Sequence, residues 1–486
     1  MRILVSLLLS PAILASQTVP ERSAVLQEEA KLVAEGQLSQ AQSLLEKTIA
    51  SFPKDPDLQF ELGMVYFRQK NWAGAIESYR ASLEGARERI NTLYYLAESY
   101  VMESDMDAAQ EAIARAAELA PNDAQVCQKY GEILTSTIDT RQQALDWLEK
   151  ARKINSNLPR IDFEIGKTQF QLTNIQGAIG DLELALKRNP ADGEASYYLA
   201  ESWASLGDWK QAGDQYRYAL SHSYENGPTY YGLGRALVES GEFTEALAPL
   251  RHALELQPSL IKTHFQLGKA YRQLGRTQEA QREARLYDLM TDRVNTAQDL
   301  NDPDQVRAWK RVKPLLEKNQ ERQALELLEK SPASEGEGAH YLLGTMYFSM
   351  GRAEDARRML LSASKENPQS AKARAFLGMI ELASGETAGA EDTFRSSLAL
   401  HSGETLALIG MGTIRYQQQH WAESAGYLEK SRTADPGAMY MLCDDYFRIG
   451  KTEDALLMAE VIRAYAGDQK SLLDELDKLI REHQNQ

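Results

Sequence analysis

A chain of 486 residues exceeds the roughly 250 to 300 at which a single hydrophobic core stops growing, so it must form several domains or one extended array. With 43% hydrophobic and 26% charged residues it is too apolar for wholesale disorder, and 15 Pro without any long Val/Ile/Thr-rich run point to helix throughout. A formal net charge of -16 speaks against a nucleic-acid partner, because phosphate backbones repel a protein of that sign.

The chain opens with Met1-Arg2, an apolar-biased run from Ile3 to Ala15 broken by Ser6, Ser10 and Pro11, and the small pair Ala15-Ser16. A charged start, a short apolar segment and a small-residue exit are the parts of a secretory signal, so residues 1–16 are expected to be a signal peptide and the remainder to work in a secreted or periplasmic setting. The run falls short of the roughly 20 residues that span a bilayer, no Cys follows it to carry a lipid, and no later segment is apolar enough to form a transmembrane segment.

Beyond this point the sequence repeats. A small residue recurs at Gly63, Ala97, Gly131, Gly166, Ala200, Gly234 and Gly268, at spacings of 34, 34, 35, 34, 34 and 34. A second column, Ala41, Ala75, Ala109, Ala144, Ala178, Ala212, Ala246 and Ala280, keeps the same period and the same single extra residue. Self-similarity at such a period marks a stack of supersecondary units. Three residues after the small column stand Tyr66, Tyr100, Trp203 and Tyr271, one helical turn on and facing the same way. Seven after it stand Gly207, Gly241 and Gly275, placed to end a helix in the left-handed conformation. The Ala column then opens a second helix. Large Tyr79, Ile113, Leu182, Tyr216 and Leu250 follow four residues later and small Ala116, Ala185, Ala219 and Ala253 three after those, an alternation that lets two helices interdigitate. Pro121, Pro190 and Pro258 close their units.

After Gly268 the register slips. The polar stretch Thr291 to Asp304, ending in the turn and helix-start signal Asn301-Asp302-Pro303-Asp304, reads as a linker at 291–304 between arrays at 21–290 and 305–466. A degenerate unit with Ala324 fills Val306 to Lys330, and the period resumes at Gly344, Gly378, Gly412 and, less regularly, Cys443. Leu472, Leu473, Leu476, Leu479 and Ile480 at helical spacing predict a capping helix within 467–486. Cys127 and Cys443 both fall at small or apolar positions of their helices and are expected to be buried free thiols, although export would allow them to pair.

Stretches such as Tyr341-Leu342-Leu343-Gly344-Thr345-Met346-Tyr347 and Phe265-Gln266-Leu267-Gly268-Lys269-Ala270-Tyr271, followed by the Ala, large, Ala and Pro columns, resemble the tetratricopeptide repeat family from about Glu21 to Ala466. The resemblance implies an all-α, right-handed α-solenoid of about 12-13 helix-turn-helix repeats with a C-terminal capping helix, whose first helices line a concave groove. In that family the groove residues lie three before, one after and four after the small column. These places hold Phe60, Tyr94, Phe163, Tyr197, Tyr231, Phe265 and Tyr341, then Lys167, Arg235 and Lys269, then Phe67, Phe170, Arg272 and Phe348. Such an aromatic ladder anchors partners because rings bury much area at small entropic cost, and also packs one unit on the next. Arg160, Lys167, Arg235, Lys262, Lys269 and Arg272 would suit an acidic or C-terminal peptide. Interleaved Glu194, Glu201 and Glu239 suit instead a solvated face of alternating charge. Aromatics stand where members that clamp chaperone tails use Lys and Asn, which speaks against that specialisation.

No catalytic constellation is visible. The seven His are dispersed, Gly232-Leu233-Gly234 lies inside a repeat helix, and neither a Walker loop nor a Gly-x-Ser-x-Gly elbow occurs. The expectation is a non-enzymatic protein without cofactor or metal: an exported scaffold that holds partner proteins or peptides during assembly of an envelope, secretion, pilus or polysaccharide-export complex. The alternative is a ligand- or glycan-sensing module that stacks sugars on the same rings. Partner identity and oligomeric state are not written in the sequence.

Overall fold

The computed structural model describes residues 22–486 except 87–88, 301–302, 332–333, 335–337 and 485–486, and the expected signal peptide lies outside that range. Among the described residues the chain is helical, with no strand, and divides into two compact units, one ending at Tyr224 and the other beginning at Glu225.

Unit 1 is six helix pairs: α1 (Arg22–Ala34) with α2 (Leu38–Ile49), α3 (Pro56–Arg68) with α4 (Trp72–Gly85), α5 (Ile90–Met102) with α6 (Met106–Leu119), α7 (Ala124–Leu134) with α8 (Arg141–Ile154), α9 (Ile161–Gln171) with α10 (Ile175–Arg188), and α11 (Gly193–Ser205) with α12 (Trp209–Ser221). Unit 2 continues with α13 (Gly227–Glu239) and α14 (Phe243–Leu256), α15 (Ile261–Gln273) and α16 (Thr277–Leu300), α17 (Pro303–Glu317) and α18 (Glu321–Glu329), α19 (Ala339–Ser349) and α20 (Ala353–Glu366), α21 (Ala371–Ala383) and α22 (Thr387–Leu400), α23 (Thr405–Gln417) and α24 (Trp421–Ser431), and α25 (Pro436–Arg448) and α26 (Thr452–Tyr465), capped by α27 (Lys470–Gln484). Within each unit, apart from the step from α16 to α17, each helix packs mainly on its own partner and on the next in line, as a solenoid requires. The extra residue in the Gly131 unit is accommodated by a single 3-10 turn at Ile138–Thr140 ahead of α8.

The columns explain the pairing. A Cβ added at Gly234 would lie 2.5 Å from the Leu250 side chain, at Gly131 2.6 Å from Leu148, and at Gly378 2.6 Å from the Phe394 ring. The small residue on the first helix is thus the seat for the large residue sixteen positions later on the second, seventeen in the Gly131 unit with its extra residue, and Ala41, Ala75, Ala109, Ala144 and Ala178 beside it are fully buried. The turn between the two helices takes a left-handed residue seven after the small column. Glycine fills it at Gly207 and Gly241, while Lys70, Ser104 and Thr173 adopt the same conformation elsewhere, at φ of 60°, 61° and 62°. In four of the six pairs of unit 1 the next residue caps the second helix: Asn71, Asp105, Asn174 and Asp208 accept from the backbone N–H groups of Gly74, Ala108, Gly177 and Gln211. In unit 2 Glu242, Arg352, Glu386, His420 and Lys451 hold that position and make no side-chain cap.

The expected linker differs in the structure. Residues 291–300 are helical, the last turns of the 24-residue α16, and the chain divides at Tyr224 and Glu225 instead. Thr291 to Leu300 contains neither Gly nor Pro, so nothing stops the helix there, and the turn signal acts only at Pro303. The extended α16 reaches α26: Leu286 and Met290 are buried in one cluster with Met439, Leu442, Met458 and Ile462. The Tyr465 hydroxyl donates to the Met290 carbonyl at 3.0 Å, 175 residues away in sequence, and Arg282 and Arg285 pair with Glu460 and with Glu453 and Asp454. Cys127 and Cys443 are buried free thiols.

Candidate functional site

In each pair the first helix carries the expected groove positions, and the structure shows what decides their exposure. An aromatic two residues before the small column of one first helix lies over the rings of the preceding one. Tyr95 of α5 meets Phe60 and Phe67 of α3 at ring-centre distances of 6.2 and 5.7 Å. Tyr198 of α11 meets Phe163 and Phe170 of α9 at 5.8 and 5.9 Å. Phe376 of α21 meets Tyr341 and Phe348 of α19 at 6.2 and 5.5 Å. Most of these are edge-to-face contacts, the favoured geometry for ring quadrupoles.

Two expected groove residues are therefore core residues. Phe163 is 1% exposed, with the Arg160 guanidinium 4.0 Å from its ring centre on the remaining side, and Tyr341 is 8% exposed within the cluster of α17–α21. Phe60, Phe67, Phe170 and Phe348 are half-buried between units. Tyr197 sits among Tyr198, Tyr216 and Tyr224 at 5.3, 6.1 and 5.5 Å, and burial, with the Glu201 charge next, pushes its hydroxyl pKa well up. Tyr231 and Arg235 are half-buried on α13, and Arg272 is exposed on α15. Phe265 is the contrasting case, 52% exposed and touching only Tyr287 among the rings of the described residues, at 5.6 Å.

Three of the six cations expected to grip an acidic peptide, Arg160, Lys167 and Lys269, are matched within the chain. Arg160 binds Asp192 and Glu194 at 2.9 and 2.6 Å, and Lys167 approaches Glu194 at 3.9 Å while lying over the Phe163 and Tyr198 rings. In unit 2 Lys269 donates to both carboxylate oxygens of Glu239 at 2.8 Å. Two of the interleaved acids, Glu194 and Glu239, are the partners of these cations, as on a solvated charged face, while Glu201 accepts from the Tyr216 hydroxyl at 2.6 Å.

Between α3, α5 and α7 the ladder has a gap. The position four after the small column, Phe67 on α3 and Phe170 on α9, is Val101 on α5. The covering position that holds Tyr95 on α5 holds Lys129 on α7, whose ammonium sits 5.9 Å from the Tyr94 ring centre. A cavity of about 200 Å³ results, lined by Phe67, Val101, Met102, Met106 and Ile133, with Glu98, Lys129 and Glu132 at its edge. Tyr94 beside it has its pKa pushed up to about 12, by burial first, against the pull of Lys129. Sequence reading picked out Phe67 and Tyr94 but missed the rest of this site. The available signal was the break in two columns at Val101 and Lys129. The covering role of Tyr95 and Tyr198 was missed too, though each announces itself as the second residue of a Tyr-Tyr pair.

Among the described residues no cluster of His, Cys, Asp and Glu could hold a metal ion, and no helix is long and apolar enough to cross a membrane.

Comparison with known proteins gives a consistent picture of the repeat. The family profile described as tetratricopeptide repeat matches residues 31–89, 163–231 and 341–405, and a second, described as TPR repeat, matches 234–275. No match is found among curated proteins. Similar solved structures include a tetratricopeptide repeat protein from Parabacteroides merdae ATCC 43184, at 16% identity and TM-score 0.42, covering 51% of this chain and 98% of that one. PilW, a type IV pilus biogenesis factor, is 18% identical at TM-score 0.39, over 41% of this chain and 92% of its own. YrrB, a TPR protein described as having an unusual peptide-binding site, is 20% identical at TM-score 0.33, over 39% and 97%. On the profile matches in both units, and on columns that keep the period from Gly63 to Gly268 and resume it at Gly344, the chain belongs to the tetratricopeptide repeat family.

Proposed function

We propose that the chain is a non-enzymatic interaction scaffold that receives segments of partner proteins on the first-helix face of its repeats. The gap in the aromatic ladder between α3, α5 and α7 carries this reading: Tyr95, Tyr198 and Phe376 cover the rings of the preceding first helix, whereas here no ring covers the place and apolar groups line an open cavity beside charged ones. Its volume of about 200 Å³ is below the ~300 to 1,000 Å³ of sites that enclose whole small ligands. That size favours an inserted side chain over a bound sugar. In unit 2 the exposed Phe265 offers a ring on the same face of α15.

Met102 and Phe265 are exposed, so replacing both by Arg preserves the packing of the repeats. Capture of the partner from cells that make the protein should be lost in that double variant and retained when Tyr218 and Leu361, exposed on second helices, are changed instead. The opposite result would overturn the reading. Export in an envelope or secretion setting belongs to the same proposal and rests on the Met1 to Ser16 pattern. N-terminal sequencing of the protein recovered outside the cytoplasm should begin after that segment, and recovery only inside the cell with Met1 retained would contradict it.

A further inference from the structure

The cavity between α3, α5 and α7 is anionic beyond what its one cation offsets. Lys129 lies 3.1 Å from Glu98 and 2.7 Å from Glu132, and all three side chains are only partly exposed. Burial alone would lower the ammonium pKa, but Glu132 foremost and then Glu98 outweigh it and hold the group charged, so this cation is already committed. Further along the face stands Glu164 of α9, whose pKa is pushed up to about 7 by burial first and by the Glu132 charge next, with Glu194 of α11 adding to the rise and Lys167 and Arg160 opposing it. Those two cations are engaged by Asp192 and Glu194, and Tyr198 is the other titratable group of α11 that feels Glu164. The carboxylates Glu98 and Glu132 at the cavity thus share one committed ammonium, leaving it a net negative charge. The apolar part is the vacated place of a ring, because Val101 stands where α3 carries Phe67 and, two repeats further on, α9 carries Phe170. Met102 and Met106 beside it adapt readily to the shape of what enters.

We propose that this cavity takes one Phe, Leu or Met side chain of a partner protein segment in which the adjacent residue is Lys or Arg, the ring or chain filling the gap and the cation settling against Glu98 and Glu132. This rests on the reading of the first-helix face as a binding face and adds the chemistry of the occupant: basic and apolar, where the scattered cations of the sequence had suggested acidic.

The test is fluorescence anisotropy with the full chain and three labelled synthetic peptides of equal length. One carries a central Phe flanked by Lys, one the same Phe flanked by Glu, and one Lys flanking a central Ala. The first should bind at least about tenfold more tightly than either of the others and weaken with added salt. Met102→Arg, at a 53% exposed position, should cost it about tenfold or more, and Glu132→Gln should weaken it while leaving the Glu-flanked peptide no worse. An unchanged circular-dichroism melt confirms that both variants are folded. Tighter binding of the Glu-flanked peptide, lost in Met102→Arg, would overturn the proposed occupant and leave the binding face standing. Failure of all three peptides, or binding indifferent to both variants, overturns the occupant too, and the binding face is then decided by the capture experiment with Met102 and Phe265. A dimer in sedimentation that Met102→Arg dissolves would assign the cavity to a second copy and likewise overturn the proposal.

Discussion

Gly234 and Gly268 hold the same position in their repeats, yet only one of them needs to be glycine. The residue sixteen later is Leu250 for the first and Ala284 for the second, so an added Cβ would meet Leu250 at 2.5 Å but nothing nearer than 3.6 Å at Gly268. Gly234→Ala should therefore cost about 1 to 3 kcal/mol through overpacking, and Gly268→Ala should gain about 0.5 to 1 kcal/mol from reduced freedom of the unfolded helix segment, both read from denaturant melts. Thr173 makes the complementary case. A β-branched residue at φ 62° is strained where other repeats have glycine, and Thr173→Gly should stabilise the protein by about 1 kcal/mol. Asp445 adds a pH dependence. Its side chain is fully buried on α25 beside the Ser424 hydroxyl, and burial, with the Asp444 charge also raising it and Arg448 opposing, pushes its pKa from 3.8 to about 7. The folded protein therefore holds a proton that the unfolded chain has released. The stability this group contributes is complete below about pH 4 and lost as pH rises through about 7. Asp445→Asn should flatten that part of the profile and stabilise the protein at pH 8 by about 1 to 3 kcal/mol. An unchanged slope between pH 4 and 8 would show that the carboxyl is ionised in the fold.

At the scale of helices, the period carried most of the architecture because it records relations between near neighbours in sequence. The seat of Leu250 on Gly234, the turn at Gly207 and the start of α17 at Pro303 all depend on residues within one repeat, so the columns announce them. What covers a groove position is set by the next first helix. Phe163 and Phe265 share a register, but Tyr198 covers one while the other stands open, and no property of either helix alone distinguishes them. The docking of α16 on α26 was less legible still, because it joins residues 175 apart and depends on how the intervening repeats curve. Its ion pairs are exposed and worth little, so the buried Leu286 and Met290 must supply most of its stability. Leu286→Ala should cost about 2 to 5 kcal/mol and raise hydrogen exchange in α26 and α27, far away in sequence. Exchange there that stays at the wild-type rate while the α15–α16 pair loosens would mean that unit 2 behaves as a plain nearest-neighbour stack.

For the molecule as a whole, function follows from a division of labour within every repeat. One face of the first helix and the inward face of the second are consumed in stacking, as the buried Ala columns and the covering rings show, and on the proposed reading the breaks in that pattern on the first helix receive partners. The break at Val101 and Lys129 was hidden from a sequence reading that sought aromatics, because its mark is the absence of one. The most direct measurement is a crosslinking map in the producing cell, with a photoreactive residue placed singly at Met102 or Phe265 on first helices and at Tyr218 or Leu361 on second helices. The account predicts partner adducts from Met102 and Phe265 and none from Tyr218 or Leu361. Adducts confined to the second-helix positions would contradict it.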